Sequence, residues 1–462
     1  MVFSSIVFVL YFLPIFFFVY FVFPQKNKNL IILLSSLLFY TWGTGCYSFV
    51  LVLSIAINFL FGLLIESFRS KFTLVFGVAF NLLLLGYLKY YNFLLENINS
   101  TFGVEISFDN ILLPIGVSFF TFQGIAYLVD VYRKDCKASR SVVDFGCYIS
   151  MFPQLVAGPI VRYSEIMKSL KCRNTTLDRV YLGLQRFVIG LAKKTIIADK
   201  MGAVADYVYS LPVESTNTSL AWVGAVAYTL QIYFDFSAYS DMAIGLSKML
   251  GFDISENFNY PYIAKSMQDF WRRWHISLST WFRDYLYIPL GGNRIGTVHT
   301  YFNLFVVFFL CGLWHGASWN FVFWGIYNGI FLIIERMGFC HFLKKIPSFF
   351  CRIYLLLVVI CGWVFFRADS ITDACFYLKN MFFYNDAPIP PDFIFFKFDH
   401  MYILCAIIAI ILSTPIYPKL YFYVKNSLTL FGIHCALILS LVFLAIAIMA
   451  ESTYSPFIYF RF

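Results

Sequence analysis

From Tyr301 to Ile334 the chain runs 34 residues with no Asp, Glu, Lys or Arg. As one straight helix that run would be about 51 Å long, against a bilayer hydrocarbon core of roughly 30 Å. It must break, and the natural break is CGLWHGASWN at 311–320, where Gly312, Gly316 and Asn320 weaken a helix. His315 then lies near the middle of an uncharged stretch. The rest of the chain has the same character. Of 462 residues, 60% are hydrophobic and only 13% charged, far from the balance of a soluble domain. At roughly 20 residues per crossing, this composition allows at most about 14 helices. A nucleic-acid binder, a collagen and a disordered chain are excluded. A transmembrane β-barrel is disfavoured as well, because its strands alternate apolar and polar residues and these runs are continuous. The expected fold is all-α, a polytopic membrane helix bundle formed as a single domain over residues 1–462.

The 34 basic and 25 acidic residues leave a net charge of +9, which is informative by position. Apolar runs near 6–23, 30–42, 48–65, 72–88 and 111–132 are separated by gaps of alternating chemistry. The gap at 24–29 carries Lys26 and Lys28, that at 43–47 no charge, that at 66–71 Arg69 and Lys71, and that at 133–140 Arg133, Lys134, Lys137 and Arg140. Basic gaps belong in the cytoplasm, so the N-terminus is expected outside. The opening run lacks a basic n-region and an A-x-A cleavage site and reads as a retained first helix. The stretch 148–163, interrupted by Pro153, Gly158 and Pro159, is too short to span and is expected to be re-entrant. A helix pair is expected to rise near 182 and return by 249 around the tip at 215–219. Further crossings near 300–313, 317–334, 351–366, 401–415 and 429–450 bring the total to about eleven and leave the C-terminus outside. The eleven cysteines stand singly with no C-x-x-C and read as small core residues, with neither a disulfide frame nor a metal site expected.

Three constellations could carry chemistry. An ionisable residue inside a membrane is a functional-site candidate by default, and a histidine kept neutral by its surroundings can accept a proton as a general base does. His315 fits that description; the alternative is a neutral imidazole hydrogen-bonding across helices beside Trp314 and Trp319. The second is QDFWRRWHISLSTWFRDYLYIPLGGNR at 268–294. Projected as one helix, Trp271, Trp274, Leu278, Trp281 and Tyr285 share a face while Asp269, Arg273, Thr280 and Asp284 lie opposite, the composition of an interfacial helix. His275 projects to the edge of the apolar face, where it either points into the bundle toward His315 or snorkels at the interface. The third is Asp235 in the apolar stretch 228–252. Such a carboxylate orients a histidine, binds a substrate hydroxyl or pairs with Arg272 or Arg273 for structure alone. No Walker A loop, G-x-G-x-x-G, H-E-x-x-H or G-x-S-x-G is present.

The segments PIGVSFFTFQGIAYLVDVYR (114–133), FPQLVAGPIVR (152–162), YFDFSAYSDMAIGLSKMLGF (233–252), NFNYPYIAKSMQDFWRRWHISLSTWFRDYLYIPLGGNR (257–294) and GLWHGASWNFVFWG (312–325) resemble the membrane-bound O-acyltransferase family. The likeness is strongest to the bacterial branch that acetylates alginate, peptidoglycan and cellulose, and it extends to the ending PFIYFRF, where Arg461 departs from a more usual Gln. The resemblance implies a helix bundle in the bacterial inner membrane, with a donor entering from the cytoplasm and an acceptor from the other side. It implies that His315, within W-H-G, and His275, within W-R-R-W-H, are the catalytic pair. The implied reaction moves an acetyl group from a thioester, acetyl-coenzyme A, to an extracytoplasmic polysaccharide, directly or through a partner acetyltransferase of SGNH-hydrolase type, without a metal. Asp235, Arg272, Arg273, Trp314 and Asn320 are then candidates for substrate binding, with Lys193 and Lys194 further charge matches for the donor's phosphates. The alternative within the family is D-alanyl transfer to teichoic acid from a carrier protein. Outside it, a transporter predicts inverted repeats, which the sequence lacks, and a non-catalytic scaffold predicts tolerance of His315 loss. The two histidines are expected to line one cavity.

Overall fold

A computed structural model of the chain describes residues 2–391, 393, 400–424, 427–451 and 457. Among the described residues the regular structure is helical throughout, with no strand. Six helical stretches are long and apolar enough to cross a bilayer: Gln25–Phe68, Lys71–Phe102, Thr297–His315, Trp319–Leu343, Ser348–Arg367 and Thr429–Glu451. The pair His400–Leu412 and Ile416–Val424, bent by 76°, makes a seventh if counted as one span. The sequence suggested about eleven crossings; the difference arises where apolar segments became shorter or more polar helices, such as Val117–Arg133 and Leu177–Ala192. The spanning helices turn large side chains outward, Phe72, Phe76, Leu83 and Phe443 among them, a surface that lipid covers.

The chain forms two compact units, Met1–Phe187 with Ser240–Ser255, and Val188–Tyr239 with Glu256–Phe462. In the first, the helix Val117–Arg133 is buried on nearly all sides. Its neighbours reach it through glycines: a Cβ at Gly77 would stand 2.8 Å from Leu128, and one at Gly124 would stand 2.8 Å from the Asn58 amide. Asn58 and Asn81 exchange amide hydrogen bonds of 3.1 and 2.7 Å, so two apolar helices are joined by a polar pair with no group left over. The 148–163 stretch, expected to be re-entrant, is a broken and buried segment. The helix Val142–Ser150 ends at Met151, a short turn Phe152–Leu155 follows, and its open backbone groups find protein partners. The Tyr148 hydroxyl donates to the Val161 carbonyl (3.1 Å), and Phe152 N–H donates to Ser36 Oγ (3.0 Å).

In the second unit the 34-residue run does break. Thr297–His315 ends in extended backbone at Gly316, and Trp319–Ile334 begins three residues later. The two helices pack antiparallel and close, because glycines meet at the crossing. A Cβ at Gly312 would lie 3.1 Å from Gly325 Cα, and one at Gly325 would lie 3.0 Å from Gly312 N. The cysteines are all free; Cys136, Cys147, Cys311, Cys351 and Cys405 are buried as expected, whereas Cys46, Cys172 and Cys375 are exposed.

Candidate active site

His315 is the last residue of its helix, placed there because Gly316 leaves helical geometry. It is buried at 4% exposure among aromatic rings. Its ring centre is 5.0 Å from Trp314 and 5.0 Å from Trp324, both nearly edge-on, and 5.4 Å from Phe366. Trp324 in turn stacks on Trp363 at 5.7 Å. Three aromatic rings thus fix the orientation of the imidazole. Asn320 is directed elsewhere: its amide donates to the Ala368 carbonyl at 2.6 Å and so ties the start of one helix to the end of Ser348–Arg367.

The structure corrects the single-helix projection of 268–294. Met267–Trp271 and Ile276–Phe282 are separate short helices, and His275 sits between them in left-handed backbone, φ 44°. A non-glycine residue there is strained, and such strain persists only where surroundings enforce it. His275 is fully buried, which rules out the snorkelling alternative. Phe236 meets its ring edge-on at 4.7 Å, and Trp314 lies 6.0 Å away. Trp314 therefore contacts both histidine rings, which brings them together through one indole but is not the shared cavity expected from the sequence.

Asn257, which the sequence reading passed over, anchors His275. Its Oδ1 accepts from Ser277 N–H at 3.2 Å and from the Ser277 hydroxyl at 2.9 Å, so the atom is the oxygen. The same oxygen lies 3.1 Å from His275 Nδ1. An amide oxygen has no proton to give, so Nδ1 carries the proton and Nε2 is the ring's acceptor nitrogen. Burial pushes His275 down to about 3, and the ring is neutral at physiological pH.

Asp235 pairs with neither Arg272 nor Arg273. Lys194 reaches it at 2.6 Å and reaches Asp199 at 2.8 Å, and both Lys194 and Asp235 are almost wholly buried. The Phe457 ring centre lies 4.7 Å from the Lys194 ammonium. Lys194 is thus not directed at a donor phosphate. Arg273 is held by Asp269 (2.9 Å) and the Asn259 carbonyl (3.2 Å). Arg272 differs: with Gln268, Trp271, Arg283, Cys311 and Arg336 it lines a cavity of about 280 Å³. Trp271 at its wall contacts Trp324 at 5.9 Å, and Trp324 contacts His315, so two rings connect the cavity to the candidate base. Glu335 is a second residue the sequence did not flag. It is buried and accepts from the backbone N–H groups of Met267 (2.6 Å) and Gln268 (3.0 Å) and from the Tyr354 hydroxyl (3.2 Å). It fixes the start of the helix that carries Trp271. Among the described residues no group of three His, Cys, Asp or Glu could hold a metal ion.

Comparison with known proteins gives these residues a context. The family model described as MBOAT, membrane-bound O-acyltransferase family, matches residues 138–378. A probable alginate O-acetylase of Azotobacter vinelandii is 44% identical over 395 residues, covering 84% of this chain and 79% of the relative. A peptidoglycan O-acetyltransferase of Helicobacter pylori is 37% identical over 423 residues, covering 82% and 80%. A teichoic acid D-alanyltransferase of Bacillus subtilis is more distant, 29% identical over 236 residues that cover 48% of this chain and 59% of that protein.

Proposed function

Because the chain belongs to the membrane-bound O-acyltransferase family, we propose that it is an O-acetyltransferase that moves an acetyl group from acetyl-coenzyme A to hydroxyls of an extracytoplasmic polysaccharide, an alginate-like polymer or peptidoglycan. The observation that carries this reading is His315, a titratable group held by Trp314, Trp324 and Phe366 at the break between two tightly packed apolar helices. Packing alone gives no reason to keep an imidazole there.

In this reading the acceptor hydroxyl donates its proton to His315 as its oxygen attacks the thioester carbonyl. The C–S bond then breaks, the acetyl group stays on the acceptor oxygen, and the departing thiolate takes the proton back. His275, fixed as the Nδ1–H tautomer by Asn257, presents Nε2 to the reactants and positions them. Trp314, in contact with both rings, keeps the two imidazoles in a fixed relation. Arg272 at the mouth of the 280 Å³ cavity, with Arg283 and Arg336, suits the phosphates of the donor, and the apolar wall of Trp271 and Cys311 suits its thioester arm. Arg273, Asn320 and Asp235 act through the residues they hold. The enzyme works as one domain in the bacterial inner membrane with its N- and C-termini outside, and the acetyl group reaches the polymer directly or through a partner of SGNH-hydrolase type.

The test is base-labile acetate on isolated envelope polysaccharides, fractionated by polymer, from cells carrying the wild type, a deletion, or His315→Ala at equal expression. Acetate lost from one polymer in both mutants supports the reading and names the acceptor. Acetate retained in His315→Ala but lost in the deletion removes His315 as the base. Acetate unchanged in both moves D-alanyl transfer or transport to the front.

A further inference from the structure

A second cavity, of about 560 Å³, lies in the first unit, remote in sequence from the histidines. Its lining includes the exposed Lys137, Arg140, Lys168 and Lys171, and its acidic members are Glu66 and Asp144. Both acids are already committed. Glu66 accepts from Arg140 at 2.5 Å and from the Ala138 N–H at 3.2 Å, while Asp144 accepts from the Asn29 amide at 2.6 Å. No described ion pair engages Lys137, Lys168 or Lys171. Deeper in, Ser139 and Tyr163 are buried, the Ser139 hydroxyl donates to the Ser141 carbonyl at 3.1 Å, and Ser139 N–H donates to the Tyr127 hydroxyl at 3.0 Å, so the floor is polar and built. Met167 and Leu170 give one wall an apolar lining.

The depth of the site selects among anions. Glu66 lies two residues before the end of the spanning stretch Gln25–Phe68, and Arg69 and Lys71 follow immediately. The cavity therefore sits where chain leaves hydrocarbon for water, on a side whose loops are basic. Three ammonium groups without carboxylate partners, a hydroxyl floor and an apolar wall at that level match a phosphodiester with a glycerol and acyl chains attached. We infer that this cavity is a binding site for the headgroup of an anionic phospholipid. Each lysine near a membrane surface adds attraction to anionic lipid, and three acting on one phosphate make the preference selective rather than diffuse.

The experiment is native mass spectrometry of the full chain in detergent, titrated with dioctanoyl phosphatidylglycerol, dioctanoyl phosphatidylcholine or inorganic phosphate. We expect phosphatidylglycerol to be retained about tenfold or more over phosphatidylcholine, and Lys137→Gln/Lys168→Gln/Lys171→Gln to abolish the preference while unfolding temperature stays unchanged. Three exposed lysines outside the acyl-transfer machinery are changed, so acetyl transfer serves as a control for folding. Equal retention of the two lipids overturns the inference, as does a triple variant that keeps the preference. Displacement of phosphatidylglycerol by millimolar inorganic phosphate makes the site one for soluble phosphate and overturns the lipid assignment.

Discussion

The His275 ring and the Asn257 side chain are tied nitrogen to oxygen at 3.1 Å, and Ser277 donates twice to the same oxygen. The geometry sets which nitrogen of His275 bears the proton. Replacing Asn257 with Ala releases that choice, whereas Asn257→Asp keeps an acceptor at the same place. Turnover should fall about tenfold to a hundredfold in Asn257→Ala and much less in Asn257→Asp. Ring nitrogen shifts of labelled histidine should show the Nδ1–H form in the wild type and a mixture in the Ala variant. An unmixed tautomer in Asn257→Ala would refute the assignment.

His275 also makes stability depend on pH. Its folded value, near 3, lies below the ordinary 6.5 of an unfolded histidine. The contribution is thus complete above about 6.5 and is lost as pH falls from there toward 3, at roughly 1.4 kcal/mol per unit. Unfolding temperature measured at pH 7.5, 5.5 and 4.5 should drop more steeply for the wild type than for His275→Asn. Parallel curves would show that the ring accepts a proton in the folded state.

Lys194 faces two carboxylates, Asp235 and Asp199, with almost no access to water. Lys194→Met leaves those charges uncompensated and should cost about 3–5 kcal/mol, whereas Lys194→Met/Asp235→Leu should regain part of the loss. Thermal unfolding in detergent reads both. A double variant no better than the single would assign the cost to packing around Lys194.

The Gly312–Gly325 crossing has no room for a methyl group. Gly325→Ala pushes against the Phe308 carbonyl and forces the two helices apart, at a cost of about 1–3 kcal/mol and with loss of acetyl transfer, because His315 ends one of them. Gly432→Ala is the control: a Cβ there meets nothing within 4 Å. Stability should hold or rise in that variant.

The break at Gly316 was legible in the sequence because an uncharged run longer than the bilayer has to stop, and the glycines say where. His315 followed from the same reasoning. The placement of His275 was not legible, since a projection at 100° per residue assumes helix throughout and cannot see one residue in left-handed backbone. The partner of Asp235 was hidden for another reason. Lys194 stands 41 positions earlier in a cluster of basic residues that the charge pattern assigns to a cytoplasmic surface. Asn257 and Glu335 act on backbone and ring atoms brought near by folding, and no spacing in the sequence announces that.

The Lys194–Asp235 pair also bears on how the protein is made. Its two halves leave the ribosome one after the other, 41 residues apart, on helices outside the stretches long and apolar enough to cross a bilayer. Either charge buried without the other would cost about 3–5 kcal/mol. The first helix gains by waiting for the second. Closure of this region is accordingly a paired event, in which the two helices pack together with their charges already joined.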